Sequence, residues 1–461
     1  MSKAWISAAM VLGAIVCGAG AAEPPVTIGG TAIVCKKGDV GVGAKPGEMG
    51  VVLIGASADP TFHKKGEKSI SREGARTDAD FAKLPGYVEV AGTGDLITSM
   101  EMRDCRLHVE WYSPPGGEGQ QAGNSGVYVQ GLYEVQILGT FSADKLGRPE
   151  KDDEAGAIYK VKTPDVNAST GPGTWQAYDI WFQAPRIENG KKTADARMTV
   201  YWNGALVHND VAVHGPTGDV AGSPEPGIGP LKLQDHDTKA EGSVRFRNVW
   251  VSPLREVKYV AAGDWEKPLE KAGADGLPEG WAPRGGKAEF RVEKGVVVGS
   301  SRPHTGNTFL VSAKEYADFE MEVDYEDDPN LNSGVQIRSS VRGGYDKRDG
   351  VVFGPQVEID PSDRAYSAGM YDEQRRGWLI TLMDAPAARA AYRKTGTNHL
   401  RVLAEGPVIR MWLNGVAASS VFDAMDERGR FGLQVHDVGE EKTPREVRFW
   451  NMRVREMKRV E

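Results

Sequence analysis

The chain contains an internal repeat, and this repeat constrains its fold more than any other sequence feature. Four short motifs occur twice in the same order, and each second occurrence follows the first by 200 to 211 residues. The pairs are Asn124-Ser125-Gly126-Val127 with Asn332-Ser333-Gly334-Val335, Trp202-Asn203-Gly204 with Leu413-Asn414-Gly415, Leu233-Gln234-Asp235-His236 with Leu433-Gln434-Val435-His436, and Val244-Arg245-Phe246-Arg247-Asn248-Val249 with Val447-Arg448-Phe449-Trp450-Asn451-Met452. A preserved order at a nearly constant offset indicates two copies of one domain. The length of 461 residues suits two domains of roughly 200 residues each.

The seam between the two copies falls near Pro253 to Ala262, directly after the last repeated motif of the first copy. We therefore predict a first domain over residues 81–255 and a second domain over residues 263–456. Residues 23–80 have no counterpart in the second half of the chain. We predict early strands and an exposed loop for that segment.

The N-terminus has the features of a secretory signal peptide over residues 1–22. Lys3 precedes an apolar run from Ala4 to Val16, and small residues at Ala21 and Ala22 suit a cleavage site. The alternative is an uncleaved membrane anchor. No other segment has the ~18 apolar residues of a membrane helix. We therefore expect an exported protein, periplasmic or extracellular, with no membrane span after cleavage.

Glycine and proline favour turns and strands over helices in this chain. There are 57 glycines and 26 prolines, spread among short runs in which polar and apolar residues alternate. Such runs between turn residues are typical of antiparallel sheets, and Asn203-Gly204 and Asn414-Gly415 predict tight hairpin turns. One short helix is predicted over Asp384 to Thr395, with Pro386 in its first turn and Gly396 after its end.

Charge and cysteine content limit the partners and the chemistry. The net charge is −8, and no basic stripe with interleaved aromatic residues is found, so we expect no nucleic-acid partner. Removal of the signal peptide leaves Cys35 and Cys105. An even pair in an exported protein permits a disulfide, and two buried free thiols are the alternative.

Alternation with period two assigns the side chains of several strands to two faces. The apolar face predicts a two-sheet β-sandwich, because each strand must turn one apolar side toward a core. The opposite face is polar in both copies: it carries Glu134, Gln136, Lys232, Gln234 and His236 in the first copy and Gln336, Arg338, Gln356, Glu358, Asp360, Gln434 and His436 in the second. This face is either the solvated side of an antiparallel sheet or a curved surface whose amides and carboxylates suit sugar hydroxyls.

A set of motifs in both copies resembles a known family. The first copy contains Gly94-Asp95-Leu96, Gly123-Asn124-Ser125-Gly126-Val127-Tyr128, Tyr133-Glu134-Val135-Gln136, Gly156-Ala157-Ile158-Tyr159, Gly173-Thr174-Trp175 and Phe246-Arg247-Asn248. The second contains Val357-Glu358-Ile359-Asp360-Pro361, Gly369-Met370-Tyr371-Asp372, Arg375-Arg376-Gly377-Trp378 and Asn398-His399. Together with the repeated motifs, these resemble the 3-keto-disaccharide hydrolase domain. The resemblance implies an all-β fold of two tandem concanavalin-A-like jelly-roll β-sandwich domains.

The resemblance also implies action on glycosides that are already oxidised at C3. The ketone acidifies the neighbouring C2 proton, so a base can remove it and the C1 substituent can leave by elimination. We assign Glu134 and Glu358 as candidate bases and His236 and His436 as their acid–base partners, because imidazole titrates near neutral pH. The candidate substrate-binding residues are Asn124, Tyr128, Gln136, Gln234, Asn332, Arg338, Gln356, Asp360, Tyr371 and Gln434, and Lys232 is a further candidate for polarising the ketone.

Two questions stay open from the sequence. The first is a metal, because Glu134, Asp235 and His236, or Glu358, Asp360 and His436, offer ligands for a divalent ion such as calcium. The second is the reaction itself, since a non-catalytic, lectin-like protein would also use a polar sheet face to bind carbohydrate. One copy that catalyses and one that only binds sugar is a third arrangement.

Overall fold

The computed structural model describes residues 26–33, 35, 38–55, 62–64, 87–90, 92, 94–139, 151–236, 239–255, 257–383 and 385–460. The predicted signal peptide lies outside these residues. In the first half the strands are β1 Thr27–Ile28, β2 Thr31–Ala32, β3 Val51–Ile54, β4 Phe62–Lys64, β5 Tyr87–Val90, β6 Leu96–Thr98, β7 Cys105–Tyr112, β8 Ser125–Val129, β9 Tyr133–Ile137, β10 Trp175–Gln183, β11 Arg186–Glu188, β12 Lys191–Ala194, β13 Ala196–Trp202, β14 Ala205–Val213, β15 Lys232–Leu233 and β16 Val244–Pro253.

The second half repeats this all-β pattern. Its elements are β17 Lys258–Ala261, β18 Trp281–Gly285, β19 Glu289–Glu293, β20 Val296–Ser300, β21 Thr308–Tyr316, β22 Phe319–Asp327, β23 Ser333–Arg342, β24 Val351–Ile359, β25 Met370–Glu373, β26 Gly377–Ile380, helix α1 Pro386–Ala391, β27 Asn398–Glu405, β28 Val408–Leu413, β29 Val416–Phe422, β30 Gly429–Val435 and β31 Glu446–Val460. The predicted helix therefore exists, but it is shorter than expected because Tyr392 is already extended. Asp384, its predicted cap, lies outside the described residues.

Each copy is a sandwich of two antiparallel sheets. In copy one, a seven-stranded sheet of order β14-β13-β10-β7-β16-β3, with β5 also on β16, packs against a five-stranded sheet of order β4-β6-β15-β8-β9. In copy two, an eight-stranded sheet of order β19-β20-β31-β22-β27-β28-β29, with β17 on β31, packs against a seven-stranded sheet of order β18-β21-β30-β23-β24-β25-β26. The predicted fold of two tandem jelly-roll sandwiches is confirmed.

The repeated motifs take the same structural place in both copies. Asn203 and Gly204 both have positive φ, and so do Asn414 and Gly415. Two consecutive positive-φ residues make the hairpin turn that matches the twist of the flanking strands, and Asn and Gly adopt it at little cost. The two predicted hairpins are therefore confirmed, and they fix the register of β13 with β14 and of β28 with β29.

The apolar phase of each strand fills the core. Val127 of β8, Val135 of β9 and Leu233 of β15 are fully buried, and they face Leu107 and Phe246 of the opposite sheet in one apolar cluster. Period-two alternation then directs Tyr128, Glu134 and Lys232 to the other side of the five-stranded sheet.

The two cysteines, Cys35 and Cys105, lie in the first half of the chain. Both are free thiols, so the predicted alternative of unpaired thiols is the one that the structure shows.

The two copies are in direct contact. Strand β3, at the edge of one sheet of copy one, lies against β29, at the edge of the eight-stranded sheet of copy two. The Ala424 amide donates to the Glu101 carbonyl at 3.0 Å. Arg376 of copy two forms an ion pair with Asp423 at 2.8 Å and donates to the Ser99 carbonyl of copy one at 3.3 Å. Backbone and charged groups thus fasten the copies together.

Candidate functional site

In copy one, three polar side chains form a row across the five-stranded sheet. The register pairs Tyr128 of β8 with Glu134 of β9 and with Lys232 of β15. The Tyr128 hydroxyl and the Glu134 carboxyl lie side by side, because a Cβ on Gly218 would come within 2.6 Å of both groups. The Lys232 Nζ lies 3.6 Å from the centre of the Tyr128 ring. Adjacent strands lie ~4.8 Å apart, so the strand register alone brings a carboxyl, a phenol and an ammonium group together.

The environment of Glu134 favours its protonated form. Burial raises the pKa of this carboxyl to about 8, although the polar Tyr128 hydroxyl and the Lys232 charge act in the opposite direction. The negative charge of the nearby Asp219 raises the pKa further. A carboxyl that titrates near neutral pH can both accept and return a proton, which is what general acid–base chemistry requires.

Lys232 is buried, whereas its nearest counter-ion, Asp219, is partly exposed. The Lys232 Nζ lies 3.1 Å from an oxygen of Asp219 and 3.7 Å from one of Asp95. Asp219 is a member of the site that the sequence did not reveal. It lies in the loop between β14 and β15, and this loop has no repeated motif that would have pointed to it.

Two of the predicted amides border this row. In the orientation that gives hydrogen-bond partners to both the oxygen and the nitrogen of the Gln136 side-chain amide, Gln136 Nε2 donates to Glu134 Oε1 at 3.0 Å. Gln234 Nε2 donates to the Tyr128 hydroxyl at 3.3 Å. Both predicted binding residues therefore contact the site, and they orient the carboxyl and the phenol.

Asn124 and His236 belong to the end of the same sheet face. Asn124 Nδ2 donates to the Gln120 carbonyl at 3.0 Å, which fixes the turn before β8. His236 follows β15 by three residues, and it is half-buried. The strand register places Glu134 level with Lys232, so His236 comes four residues further along the chain. A direct Glu134–His236 acid–base pair remains a prediction.

Copy two carries a glutamate on the same face, but among different neighbours. Glu358 pairs with Gly334 in the register of β24 and β23. Its carboxyl accepts from Asn332 Nδ2 at 2.6 Å and from Gln356 Nε2 at 3.0 Å. Gln356 also donates to Gln434 Oε1 at 3.2 Å. The predicted residues Asn332, Gln356 and Gln434 thus form one amide network around Glu358.

Burial raises the pKa of Glu358 to about 7, and Asp360 and Glu373 raise it further while the two amide donors lower it. Glu373 is another site residue that the sequence did not reveal. Its carboxyl accepts from Asn307 Nδ2 at 3.2 Å. Tyr371 lies opposite Gln356 and packs edge-on against Trp378, with 5.5 Å between the ring centres.

His436 lines a cavity at the end of the Glu358 network. The cavity has a volume of about 270 Å³ and is also lined by Asn332, Asp437 and Arg445. His436 Nδ1 lies 2.8 Å from the Asp437 carbonyl. Asn332 lines this cavity and also donates to Glu358. It therefore connects Glu358 with the cavity that His436 lines, and these two residues are the predicted acid–base pair of copy two.

Two of the predicted substrate-binding residues, Arg338 and Asp360, are already engaged in hydrogen bonds and ion pairs with other groups of the protein. Arg338 is 1% exposed and donates to the carbonyls of Ala317 and Gly406, because a bulge in β23 after Gln336 breaks the alternation. Asp360 accepts from the Ser362 amide at 3.1 Å and pairs with Arg364 at 3.2 Å. Arg338 therefore stabilises the turns between β21 and β22 and between β27 and β28, and Asp360 stabilises the turn after β24.

The two predicted metal-ligand sets are not assembled. Within the residues that the structure describes, no group of three His, Cys, Asp or Glu side chains is placed to hold a metal ion. In copy one, the Asp235 carboxylate accepts instead from the amides of Gly92 and Gly94 at 3.0 and 2.7 Å. In copy two, Asp360 is used in its own turn.

Two antiparallel sandwiches, each with a buried glutamate on the polar face of one sheet, define a tandem concanavalin-A-like jelly-roll protein. The chain belongs to the 3-keto-alpha-glucoside-1,2-lyase-like domain family, whose model matches residues 62–252 and 272–455. The predicted resemblance, including its two tandem copies, is confirmed. Membership of this family places the chain among carbohydrate-active proteins.

Solved structures of similar fold span about one copy each. A Parabacteroides distasonis protein assigned as a glycosyl hydrolase is 28% identical, covering 45% of this chain and 84% of its own, with a TM-score of 0.36. A Bacillus subtilis protein with a galectin-like fold is 10% identical over 44% of this chain and 100% of its own, with a TM-score of 0.34. A carbohydrate-binding module from Bacillus subtilis is 18% identical over 39% and 95%, with a TM-score of 0.26. No curated protein matches the chain.

In the described part of the chain, no helix is long and apolar enough to cross a membrane.

Proposed function

We propose that this protein cleaves 3-keto-glycosides by elimination, with copy one as the catalytic copy. The observation that carries the proposal is the buried row of Glu134, Tyr128 and Lys232. It combines a carboxyl whose pKa is raised to about 8, a hydroxyl next to that carboxyl and an ammonium group on the ring of the same tyrosine. These are the base, the donor and the cation that such an elimination needs.

The three groups divide the reaction between them. Glu134 takes the C2 proton, and the electron pair of the C2–H bond forms an enolate on the C3 ketone. Lys232 stabilises the negative enolate oxygen, because a fixed charge acts strongly where water is excluded. The electrons then expel the C1 oxygen, which takes the Tyr128 proton. Glu134 then returns the proton it took from C2 to the oxygen of its neighbour Tyr128, so the site ends as it began.

We assign sugar binding without catalysis to copy two. Its glutamate is surrounded by the amides of Asn332, Gln356 and Gln434, and the position of Lys232 is taken by Gly432. In the described structure, Gln434 Nε2 is buried and has no hydrogen-bond partner. A buried donor without a partner is costly, and a sugar hydroxyl would satisfy it. Glu358 and His436 remain the candidate acid–base pair if copy two also catalyses.

A chromogenic glycoside tests the proposal. We expect purified protein to release p-nitrophenol from p-nitrophenyl 3-keto-α-glucoside and none from the unoxidised glucoside. Deuterium at C2 should slow the release if proton abstraction limits the rate. Glu134→Gln should lower kcat by at least ~100-fold, the usual contribution of a general base.

The matched variant Glu358→Gln separates the two copies. We expect it to keep the release of p-nitrophenol and to weaken binding of the sugar. If Glu358→Gln abolishes release and Glu134→Gln does not, catalysis belongs to copy two. If wild-type protein binds the ketosugar and releases nothing, the protein is a non-catalytic carbohydrate-binding protein.

We also propose that the protein is exported to the periplasm or the cell exterior. The apolar run from Ala4 to Val16 after Lys3, followed by Ala21 and Ala22, supports this assignment. An extracytoplasmic enzyme of this type would meet glycosides before they enter the cell.

A further inference from the structure

A long loop covers the polar row of copy one and has no equivalent in copy two. Strand β14 ends at Val213 and β15 begins at Lys232, so eighteen residues, 214–231, connect them. We call this segment the cover loop. In copy two, β29 ends at Phe422 and β30 begins at Gly429, and six residues, 423–428, make the equivalent connection.

The backbone of the cover loop packs directly on the catalytic groups. Gly218 has φ +59°, and a Cβ at this position would overlap Glu134 Oε2 and lie 2.6 Å from the Tyr128 hydroxyl. The Glu134 amide donates to Thr217 Oγ1 at 2.8 Å. Glu134, Tyr128 and Lys232 are only 2%, 0% and 3% exposed. A sugar ring cannot reach them until residues 217–219 move away.

Asp219 is the cover loop's only carboxylate in contact with the ammonium group beneath it. Its oxygens lie 3.1 and 3.4 Å from Lys232 Nζ. The Asp219 side chain is 41% exposed, whereas that of Lys232 is 4% exposed. The loop therefore places a partly exposed carboxylate against a buried ammonium group. Copy two has no such ion pair, because Gly432 replaces Lys232 and the equivalent loop is short.

We propose that the Asp219 carboxylate occupies the subsite of the substrate's C3 oxygen, and that substrate binding displaces the cover loop from Lys232. This inference rests on the proposed function of copy one. The ketone oxygen of the substrate accepts the same hydrogen bonds as a carboxylate oxygen. It becomes negative when the enolate forms, so Lys232 regains an anionic partner at that step. Asp219 is thus a specificity-determining residue that keeps the site closed to ligands without an oxygen able to take its place.

Small carboxylates test the subsite without any need for catalysis. In Asp219→Ala, formate should enter the vacated position beside Lys232, and it should raise the Tm more than chloride at equal ionic strength. Wild-type protein and the control Asp165→Ala should respond to both salts alike, because Asp165 pairs with the exposed Lys162 outside the site. An equal response to formate in all three proteins would overturn the assignment.

Steady-state kinetics test the displacement. Asp219→Asn should lower the KM for p-nitrophenyl 3-keto-α-glucoside on the order of fivefold, the usual effect of losing one partly exposed ion pair, since the closed form no longer competes with substrate. Hydrogen exchange of residues 214–224 should become faster in the same variant without ligand. Unchanged KM and unchanged exchange would refute the displacement. A wild-type protein that releases no p-nitrophenol would refute the proposed function instead, while the formate and exchange measurements would still decide the subsite.

Discussion

Glu134 and Glu358 show how neighbours decide what one residue type can do. Both lie on the polar face of a sheet, and burial raises the pKa of both, to about 8 and about 7. Glu134 has a phenol and an ammonium group beside it, whereas Glu358 has amides. Only the first set can stabilise a negative oxygen with a full charge, which is why we assign the chemistry to copy one.

The raised pKa of Glu134 makes the stability of copy one depend on pH. In the folded state the Glu134 carboxyl keeps its proton up to about pH 8, whereas a glutamate in the unfolded chain releases its proton near pH 4.3. The folded state therefore binds more protons in this window, and stability falls as pH rises through it. We expect Glu134→Gln to remove this decline, which amounts to at most ~5 kcal/mol at pH 9, as measured by urea unfolding at a series of pH values.

Glu110 provides a control of opposite sign. Although burial alone would raise its pKa, the His108 ring 3.7 Å away and hydrogen bonds from Asn248, the Gly43 amide and Arg247 lower it to about 2. Its contribution is present above the unfolded pKa and is lost as pH falls toward 2. Glu110→Gln should therefore reduce stability at neutral pH. Parallel pH slopes for the two variants would contradict the assigned environments.

Strand alternation explains which parts of the site were predictable from sequence. It placed Glu134, Gln136 and Lys232 on one face correctly, because β8, β9 and β15 are regular and have apolar partners underneath. It failed at Arg338, because the bulge in β23 gives this residue a positive φ of 44°. A bulge depends on contacts between strands, and it leaves no mark in the local pattern.

Loops were beyond prediction for a related reason. Asp219 reaches Lys232 only because an irregular loop folds back over the sheet, and neither period nor repeat encodes that path. Glu373 lies at the end of β25 and accepts from Asn307, which precedes β21. Its role requires knowing that both strands belong to one sheet. The fold class and the repeat were predictable, whereas contacts between distant loops were not.

The close pairing of β8 with β9 leads to a prediction for Gly126. A Cβ at this position would overlap Glu134 Oε1 and lie 2.9 Å from Cε2 of Tyr128. We expect Gly126→Ala to displace the Glu134 carboxyl and to lower kcat by ~10-fold or more, since misplacement by about 1 Å already costs much of the rate. The measurement is p-nitrophenol release, with far-ultraviolet circular dichroism to confirm folding.

Gly263→Ala is the matched control for this variant. A Cβ on Gly263 would have no atom within 4 Å, so activity and stability should both stay as in the wild type. Full activity in Gly126→Ala would show that the carboxyl position is not set by this contact.

At the scale of the whole molecule, Arg376 connects two buried aspartates of copy two with the Ser99 carbonyl of copy one. It pairs with Asp372 at 2.5 Å and with Asp423 at 2.8 Å. Both aspartates are buried. Removing the arginine leaves these carboxylates with one cation fewer, which costs ~3 kcal/mol or more for a buried pair. We expect Arg376→Ala to lower the Tm and to split thermal unfolding into two transitions in calorimetry.

Arg302→Ala serves as the comparison, because Arg302 pairs with Glu289 on the exposed surface. Ion pairs that are exposed to solvent contribute little to stability, so the unfolding of this variant should match the wild type. A single transition at an unchanged Tm in Arg376→Ala would show that the copies are held together by other contacts.

The contact between β3 and β29 has a consequence for what happens when proteolysis or loss of part of the gene separates the two copies. Among the described strands, each of these two is the last of its sheet, so the backbone amides and carbonyls on its outer side have no strand partner, and such borders recruit strands from other molecules. Here the border of each copy lies next to the border of the other. A gene fragment or proteolytic product with one half alone would uncover that border and tend to self-associate, so selection against aggregation gives the cell a reason to retain both halves even if only one performs chemistry.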